Sequence, residues 1–452
     1  MNPAHGRSAR LHDMIISPRY SQSVPQSTDT LFDVNVSNDT VPISASQVDH
    51  EVGTSVELFA GGGGLAQGMH RAGFRHLLTN EVAKRACETL RLNGAKDWKA
   101  GDSAPETLNS PWPLIEKDIR AAIKDEVFKG LVEKVDVVAG GPPCQPFSLG
   151  GVAKGHEDER NMFPELFAVV RETRPKAVLC ENVRGLLRPS FAPYFEYILN
   201  ELRAPFEERK EDEPWFKHDA RLRRALKKDG SDLSQRYEVL PIPVNAADYG
   251  VPQTRQRIII VAFRKDLAVD WKEPRKQYSE AALLRSQLDC SYWTERGLTP
   301  NEELIERARR REVTDDGKAP WVTLRDAICD LPKPILGKER KGYHHHIGWP
   351  GARIYKGHTP NLLDRPAKTV KAGVHGVPGG ETVLLEDNGS HRYMTVREAA
   401  RAMTFPDTWR FAGPRGEQMR QLGNAVPVDL GTVFAKAIAR ALRPDLDIDW
   451  AE

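Results

Sequence analysis

Cysteine is scarce in this sequence. There are five among 452 residues, Cys87, Cys144, Cys180, Cys290 and Cys329, scattered and never spaced as CxxC. That argues against a disulfide-stapled secreted scaffold and against a cysteine-based zinc site, and it fits reduced thiols in a cytoplasmic protein. Long apolar runs are missing as well. No stretch reaches the roughly 18 residues of a membrane span, and the N-terminus lacks a charged-then-apolar signal pattern. Nor is there a dominant charge: 65 Lys plus Arg face 63 Asp plus Glu. Any affinity for nucleic acid must therefore come from local basic patches rather than a global field.

What is present is enough chain for two or three domains at about 150 residues each, with 40% hydrophobic residues to build a core. Residues 1–50 are rich in Ser, Thr, Asn, Asp and Pro without a sustained period, and read as a poorly ordered extension. From Thr54, strand-like runs at 55–59, 76–79, 135–139 and 177–180 alternate with helix-like stretches. This alternation predicts an α/β fold with a doubly wound, mostly parallel sheet. Runs at 237–244 and 257–263 add strands, the second of which is expected to close the sheet. Residues 51–265 then form a first, ligand-binding domain. Residues 266–390, rich in Gly, Pro, His and Trp, form a second, smaller irregular domain, and 391–452 return to the first with helical patterns at 395–404 and 430–442.

The motifs fall at predicted strand ends, where open α/β sheets bind ligands. In "ELFAGGGGLAQGMHRAGF", Gly61, Gly63 and Ala66 match G-x-G-x-x-G/A between strand and helix, and Glu81 follows about 20 residues later. A nucleoside cofactor is expected there, with Glu81 able to hold ribose hydroxyls and the helix N-terminus offering N–H groups. This pattern alone serves several cofactors and also simple tight turns. In "GGPPCQPFSLG", Cys144 sits in a proline-stiffened turn behind a buried strand, unlike the other four cysteines, which read as buried and inert. "LCENVRG" places Glu181 at another strand end, on the same rim as Cys144. A carboxyl beside a nucleophilic thiol suits a substrate that is protonated as it is attacked. "QTRQR" puts Arg255 and Arg257 at the start of the isoleucine strand, where they could contact a phosphate or a base carbonyl.

In order along the chain, "FAGGGG", "GGPPCQPFS", "ENVRG", "QTRQR", "REAARAMTFPD" and "GNAVPV" resemble the cytosine-C5 DNA methyltransferases over roughly residues 54–442. The resemblance implies S-adenosyl-L-methionine as cofactor, held by Phe59, Gly61, Gly63 and Glu81, with Asp118 on the adenine amino group and Asn424 closing the pocket. It implies Cys144 as nucleophile, Glu181 on N3 and N4 of the cytosine, and Arg255 and Arg257 positioning a flipped-out nucleotide. Arg397, Glu398 and Arg401 would brace the second domain. Residues 365–381 resemble the family's recognition element, with Thr369 and Val370 at its anchor. Val82 departs from the pattern, since many relatives carry an aromatic there. The implied partner is double-stranded DNA, with a cognate restriction endonuclease left open, and the implied state is a monomer.

Three readings stay secondary. The charged segment 205–235 reads first as a solvated helix pair and second as a DNA-facing patch on Arg221, Arg223, Arg224, Lys227 and Lys228. His344, His345 and His346 lack a carboxylate–cysteine pattern to complete a metal site, so no metal is expected. A tRNA cytosine-C5 methyltransferase would share the nucleophile and cofactor, and a catalytically inactive DNA-binding regulator would share the fold. A nicotinamide dehydrogenase accounts for the glycines but for none of the later blocks.

Overall fold

The structure, a computed structural model, describes residues 50–143, 161–228, 230, 232–311, 313–354, 359–372 and 382–446. The expectations for residues 1–49 and for Cys144 fall outside the described residues. The described residues form one compact unit. Its centre is an eight-stranded sheet. In chain order the strands are β1 (Gly53–Leu58), β2 (Phe74–Glu81), β3 (Lys96–Asp97), β4 (Pro113–Glu116), β5 (Val137–Gly140), β6 (Ala177–Val183), β7 (Tyr237–Asn245) and β8 (Gln256–Arg264). They lie in the order β3-β4-β2-β1-β5-β6-β8-β7. β3 through β6 run parallel, and β8 is antiparallel to both neighbours.

The inner strands are buried along almost their whole length, which is why they read as continuous apolar runs rather than alternations. Helices cover both faces. On one face Val56, Leu58, Val138, Val178 and Ile260 meet α4 (Phe163–Thr173) and α5 (Ala192–Arg203) through Leu166, Phe167 and Ile198. On the other, Val137, Leu179 and Ile259 meet α1 (Gly64–Arg71) and the C-terminal helix Val428–Leu442 through Leu65, Met69, Phe434 and Ile438. The doubly wound expectation is met. β8 does not close the sheet, however. It lies inside, because its IIIVAF core is buried on both faces, and β7 takes the edge. β7 alternates buried and exposed residues and carries Pro241 and Pro243, which an interior strand could not accommodate.

Residues beyond β8 form short pieces. Helices Glu280–Leu288, Glu302–Arg309 and Leu324–Ile328 accompany small sheets of two or three strands. Residues 391–446 fold back onto the main sheet as expected, and the contact is close. A Cβ added at Gly68 of α1 would lie 2.7 Å from the backbone carbon of Gly431 in the C-terminal helix. Gly68→Val should therefore overpack this seam and destabilise the protein by about 1–3 kcal/mol. Urea unfolding checks this; an unchanged midpoint would mean that the two helices separate without loss.

Candidate active site

The parallel strands end, and the antiparallel β8 begins, on one rim. The register Leu58↔Gly140↔Cys180 brings the ends of β1, β5 and β6 level, and Val183↔Arg257 adds the start of β8. The order of connection reverses between β1 and β5, which makes this rim the switch point where such sheets bind ligands.

The first half of the site is the β1–α1 turn. Phe59 and Gly61 have φ of 55° and 54°, and Gly63, at 88°, starts the helix. Gly63 has no room for a side chain: its Cβ would stand 2.7 Å from the Trp409 ring. Trp409 Nε1 also donates to Gly62 O (3.0 Å), so the turn is backed by a residue 347 positions away. A Cβ on Gly61 would meet nothing nearer than Phe59 O at 4.0 Å, which leaves this side of the turn open to a ligand. Glu81, at the end of β2, accepts from Gly61 N (2.7 Å), Val82 N (2.8 Å) and Ala83 N (2.7 Å). A carboxylate offers about four acceptor positions, so one remains. Lys117 N donates to Glu81 O (3.0 Å), which puts Asp118 beside the end of β2. Asp118 caps α3 (Ile119–Lys124) by accepting from Arg120 N (2.8 Å). Val82, beside Glu81, is 60% exposed, an apolar surface facing solvent next to an acid. Asn424 ends the helix Arg415–Asn424 and is exposed. The chain just after it crosses α1, where a Cβ on Gly64 would overlap Val426 O. An open glycine turn, an acid with one free acceptor position, a capping aspartate and an exposed apolar side chain fit an adenosyl group.

The second half is the β5–β6–β8 rim. Arg257 Nε lies 2.8 Å from Glu181 Oε1, and both side chains are largely buried. Asn182 Nδ2 donates to Pro142 O (3.0 Å), and a Cβ on Gly141 would sit 3.7 Å from Glu181 Oε2. The Pro142–Pro143 turn is thus docked against the end of β6. Met162 N donates to Pro143 O (3.2 Å), and Asn161 Nδ2 to Tyr194 Oη (2.6 Å). Residues 143 and 162 therefore meet at this rim.

Arg255 is not part of it. It is 1% exposed, and its guanidinium donates to Val370 O (3.0 Å), Gly423 O (2.8 Å) and Ala425 O (2.9 Å). Burial, then the neighbouring Arg257, pulls its pKa well down. Alternation from Arg257 holds, but the side chain at 255 comes before the strand begins and turns inward. The expectation that it positions a nucleotide is corrected to a structural contact. Thr369 and Val370 are likewise held: Thr369 Oγ1 donates to Thr254 O (2.8 Å), and Val370 N to Gln253 Oε1 (3.1 Å). These bonds tie residues 369–370 to 253–254; residues 373–381, where the expected recognition element continues, lie outside those described.

Arg397, Glu398 and Arg401 brace as expected. Arg397 donates to carbonyls of His344, Pro406 and Trp409, Glu398 completes a capping box with Thr395 and pairs with Arg392, and Arg401 binds Asp407 and Asp330. In the charged segment, Arg221 pairs with Glu213 and Arg223 with Asp219, on α6 (Trp215–Leu226), so the solvated-helix reading is the better one. No metal-holding cluster of His, Cys, Asp or Glu occurs among the described residues. Of the four other cysteines, Cys87 and Cys180 are buried, and burial pushes Cys87 up to about 12. Cys290 is half-buried and Cys329 exposed, contrary to expectation.

Trp409, Gln253 and Glu57 were not legible as site residues. Gln253 is fully buried and joins Val370 to Ala402 O (3.1 Å), and nothing in the sequence singles it out from Arg255 and Arg257. Glu57 lies inside β1 opposite Thr79, with neither carboxyl oxygen partnered, and burial raises its pKa well above 4.5. Nearby His76 is lowered by burial to about 3.

The comparisons agree with this geometry. Residues 53–204 and 220–440 match the sequence model of the C-5 cytosine-specific DNA methylases. The Escherichia coli Type II methyltransferase M.Eco47II is 31% identical over 88% of this chain and 81% of its own. Type II methyltransferase M.NgoMIV of Neisseria gonorrhoeae is 30% identical over 87% and 99%. A solved structure of an E. coli prophage-encoded protein, assigned as a DNA modification methyltransferase, shares the fold. Its TM-score is 0.52 at 21% identity, over 86% of this chain and 99% of that one. The chain belongs to the C-5 cytosine-specific DNA methylase family, and its reaction is methylation of cytosine C5 in DNA.

Glu57 gives a test of the site's electrostatics. Burial raises the Glu57 carboxyl well above its usual value of 4.5, so the unfolded chain releases the proton at lower pH than the fold does. Its contribution is therefore fully present below that pH and is lost as pH rises toward the raised folded value. Glu57→Gln should flatten the fall of melting temperature between pH 5 and 8. An equally steep fall in the variant would show that Glu57 is ionised in the fold.

Proposed function

We propose that Cys144 is the nucleophile of this reaction, that Glu181 and Arg257 hold the cytosine, and that S-adenosyl-L-methionine binds in the turn formed by Phe59, Gly61, Gly63, Glu81, Asp118 and Asn424. The observation that carries this reading is the Glu181–Arg257 pair at 2.8 Å, with the Pro142–Pro143 turn docked beside it. Cys144 follows Pro143 directly in the sequence; its own placement lies outside the described residues, and the reading is supported by its position next to the docked turn.

The chemistry requires this set. Cytosine C5 is a weak nucleophile until something adds to C6. The Cys144 sulfur forms a bond to C6, the ring electrons move toward N3, and a proton is held there by Glu181, so that C5 gains enamine character. Arg257 fixes one oxygen of Glu181 and leaves the other for the base. When bound, S-adenosyl-L-methionine supplies a methyl group on a sulfonium. Once C5 carries the methyl, the C5 proton passes to a solvent base, the Cys144–C6 bond breaks to give back the thiolate, the C5–C6 double bond is restored, and the proton at N3 returns to Glu181. A stacked base shields C6, so the target nucleotide must swing out of the duplex.

The Type II relatives support a finer reading: the chain is the modification enzyme of a restriction-modification system, acting on double-stranded DNA in the cytoplasm, with target choice in residues 266–390 and Thr369 and Val370 as the root of the reading element. No described helix is long and apolar enough to cross a membrane.

A duplex containing 5-fluorocytosine should trap the enzyme covalently, because fluorine does not leave as a proton does. Cys144→Ser should lose both the trap and methyl transfer while still binding S-adenosylhomocysteine. A trap that survives in Cys144→Ser would refute the assignment, and methylation of tRNA in preference to duplex DNA would refute the substrate.

A further inference from the structure

Arg255 stands at the meeting of three segments. Its backbone lies between Gln253 and the β8 strand, its Nη1 donates to Val370 O, and its Nη2 donates to Gly423 O and Ala425 O. The first carbonyl belongs to the segment 367–372, which leads into the expected recognition element. The other two flank Asn424. Among the described residues no carboxylate stands within ion-pair distance of this buried cation, although the charge of Glu181 reaches it, and its Nε has no partner.

A cation without a directly paired counter-ion is expensive to bury, and these three carbonyls are its hydrogen-bonding partners. Charge-assisted hydrogen bonds of this kind are stronger than those between neutral groups. If either carbonyl segment lifts away, the charge is left partly bare, so the two are docked together or not at all. A second contact ties the same two segments: a Cβ on Gly423 would overlap the backbone of Lys371 and Ala372. On the far side, the turn after Asn424 presses on the glycine turn, since Val426 O and Ala425 Cβ fill the space a Cβ on Gly64 would need. On the near side, Val370 and Thr369 are bonded to Gln253 and Thr254, within four residues of Arg257. One continuous set of contacts thus runs from the cofactor turn, through residues 423–426 and Arg255, to the root of the recognition element.

We propose that Arg255 is a positioning residue that couples the two ligands: seating DNA on the segment 367–372 tightens the cofactor pocket, and a filled cofactor pocket tightens DNA binding. The inference rests on the cofactor and recognition assignments made above. Coupling of this sort is reciprocal and is typically 5- to 150-fold in affinity.

The test measures the dissociation constant of S-adenosylhomocysteine by calorimetry on the full-length protein, with and without a duplex carrying the site mapped by bisulfite sequencing. The wild type should bind at least fivefold tighter with the duplex present. Arg255→Lys keeps the charge but replaces a fork that spans three carbonyls with a single ammonium; its ratio should fall to within twofold of one. Gly423→Ala leaves the charge in place and pushes Ala372 away, and should lower the ratio in the same direction. A purely structural role would weaken both binding constants and leave their ratio unchanged. A wild-type ratio of one, or a ratio kept in both variants, overturns the proposal while the cofactor assignment stands. Failure of the wild type to bind S-adenosylhomocysteine at all overturns both. Should Arg255→Lys not fold, Gly423→Ala decides alone: a fallen ratio supports the coupling and an unchanged one refutes it.

Discussion

The close approach of the C-terminal segment to the glycine turn is the constraint on which the site depends. Gly64 and Val426 O occupy space that no side chain could share, Gly68 meets Gly431 in the same way, and Trp409 fills the position a Cβ on Gly63 would take. Three glycines of one short stretch are therefore required by packing against residues more than 340 positions later. Their freedom at positive φ is a second demand, met at Gly61 and Gly63. The turn is at once a ligand cradle and a helix–helix seam, and a substitution there would disturb both.

The rim shows how one pair of antiparallel neighbours changes the chemistry available. Strands that run parallel present only their C-terminal ends on one side. Because β8 runs against β6, its second residue, Arg257, pairs with Val183 at the end of β6, and a basic side chain can reach the carboxylate of Glu181 two residues earlier. The arginine stands 2.8 Å from one carboxylate oxygen as an ion pair and leaves the acid on the rim.

Much of this was legible in the sequence because it lies in local pattern. The alternation of apolar runs gave the sheet and its helices, and the glycine turn, Glu81 and Glu181 fall where strands end. The order of β7 and β8 was not legible from run length alone. The prolines and the alternation in β7 were the signal for an edge, and the unbroken apolar run of β8 the signal for an interior strand. Arg255 and Arg257 look equivalent in "QTRQR", yet two residues decide between a buried clamp and a site residue. The difference comes from carbonyls at 370, 423 and 425, which no local pattern reveals. Trp409 escaped for the same reason: its partner is at 62.

The edge formed by β7 has a bearing on how the chain is made. The helix Val428–Leu442 that covers α1 is synthesised after every strand of the main sheet, so the nascent sheet is complete through β8 while one of its faces still lacks this cover. A half-finished parallel sheet with an open edge is prone to add strands from neighbouring chains. Pro241 and Pro243 have the same parity along β7 and pair with Ile260 and Ile258, so the N–H groups that would have pointed outward from those positions do not exist. The opposite edge, β3, is two residues long. Both borders are thus poor templates during the interval before residues 428–442 join the sheet.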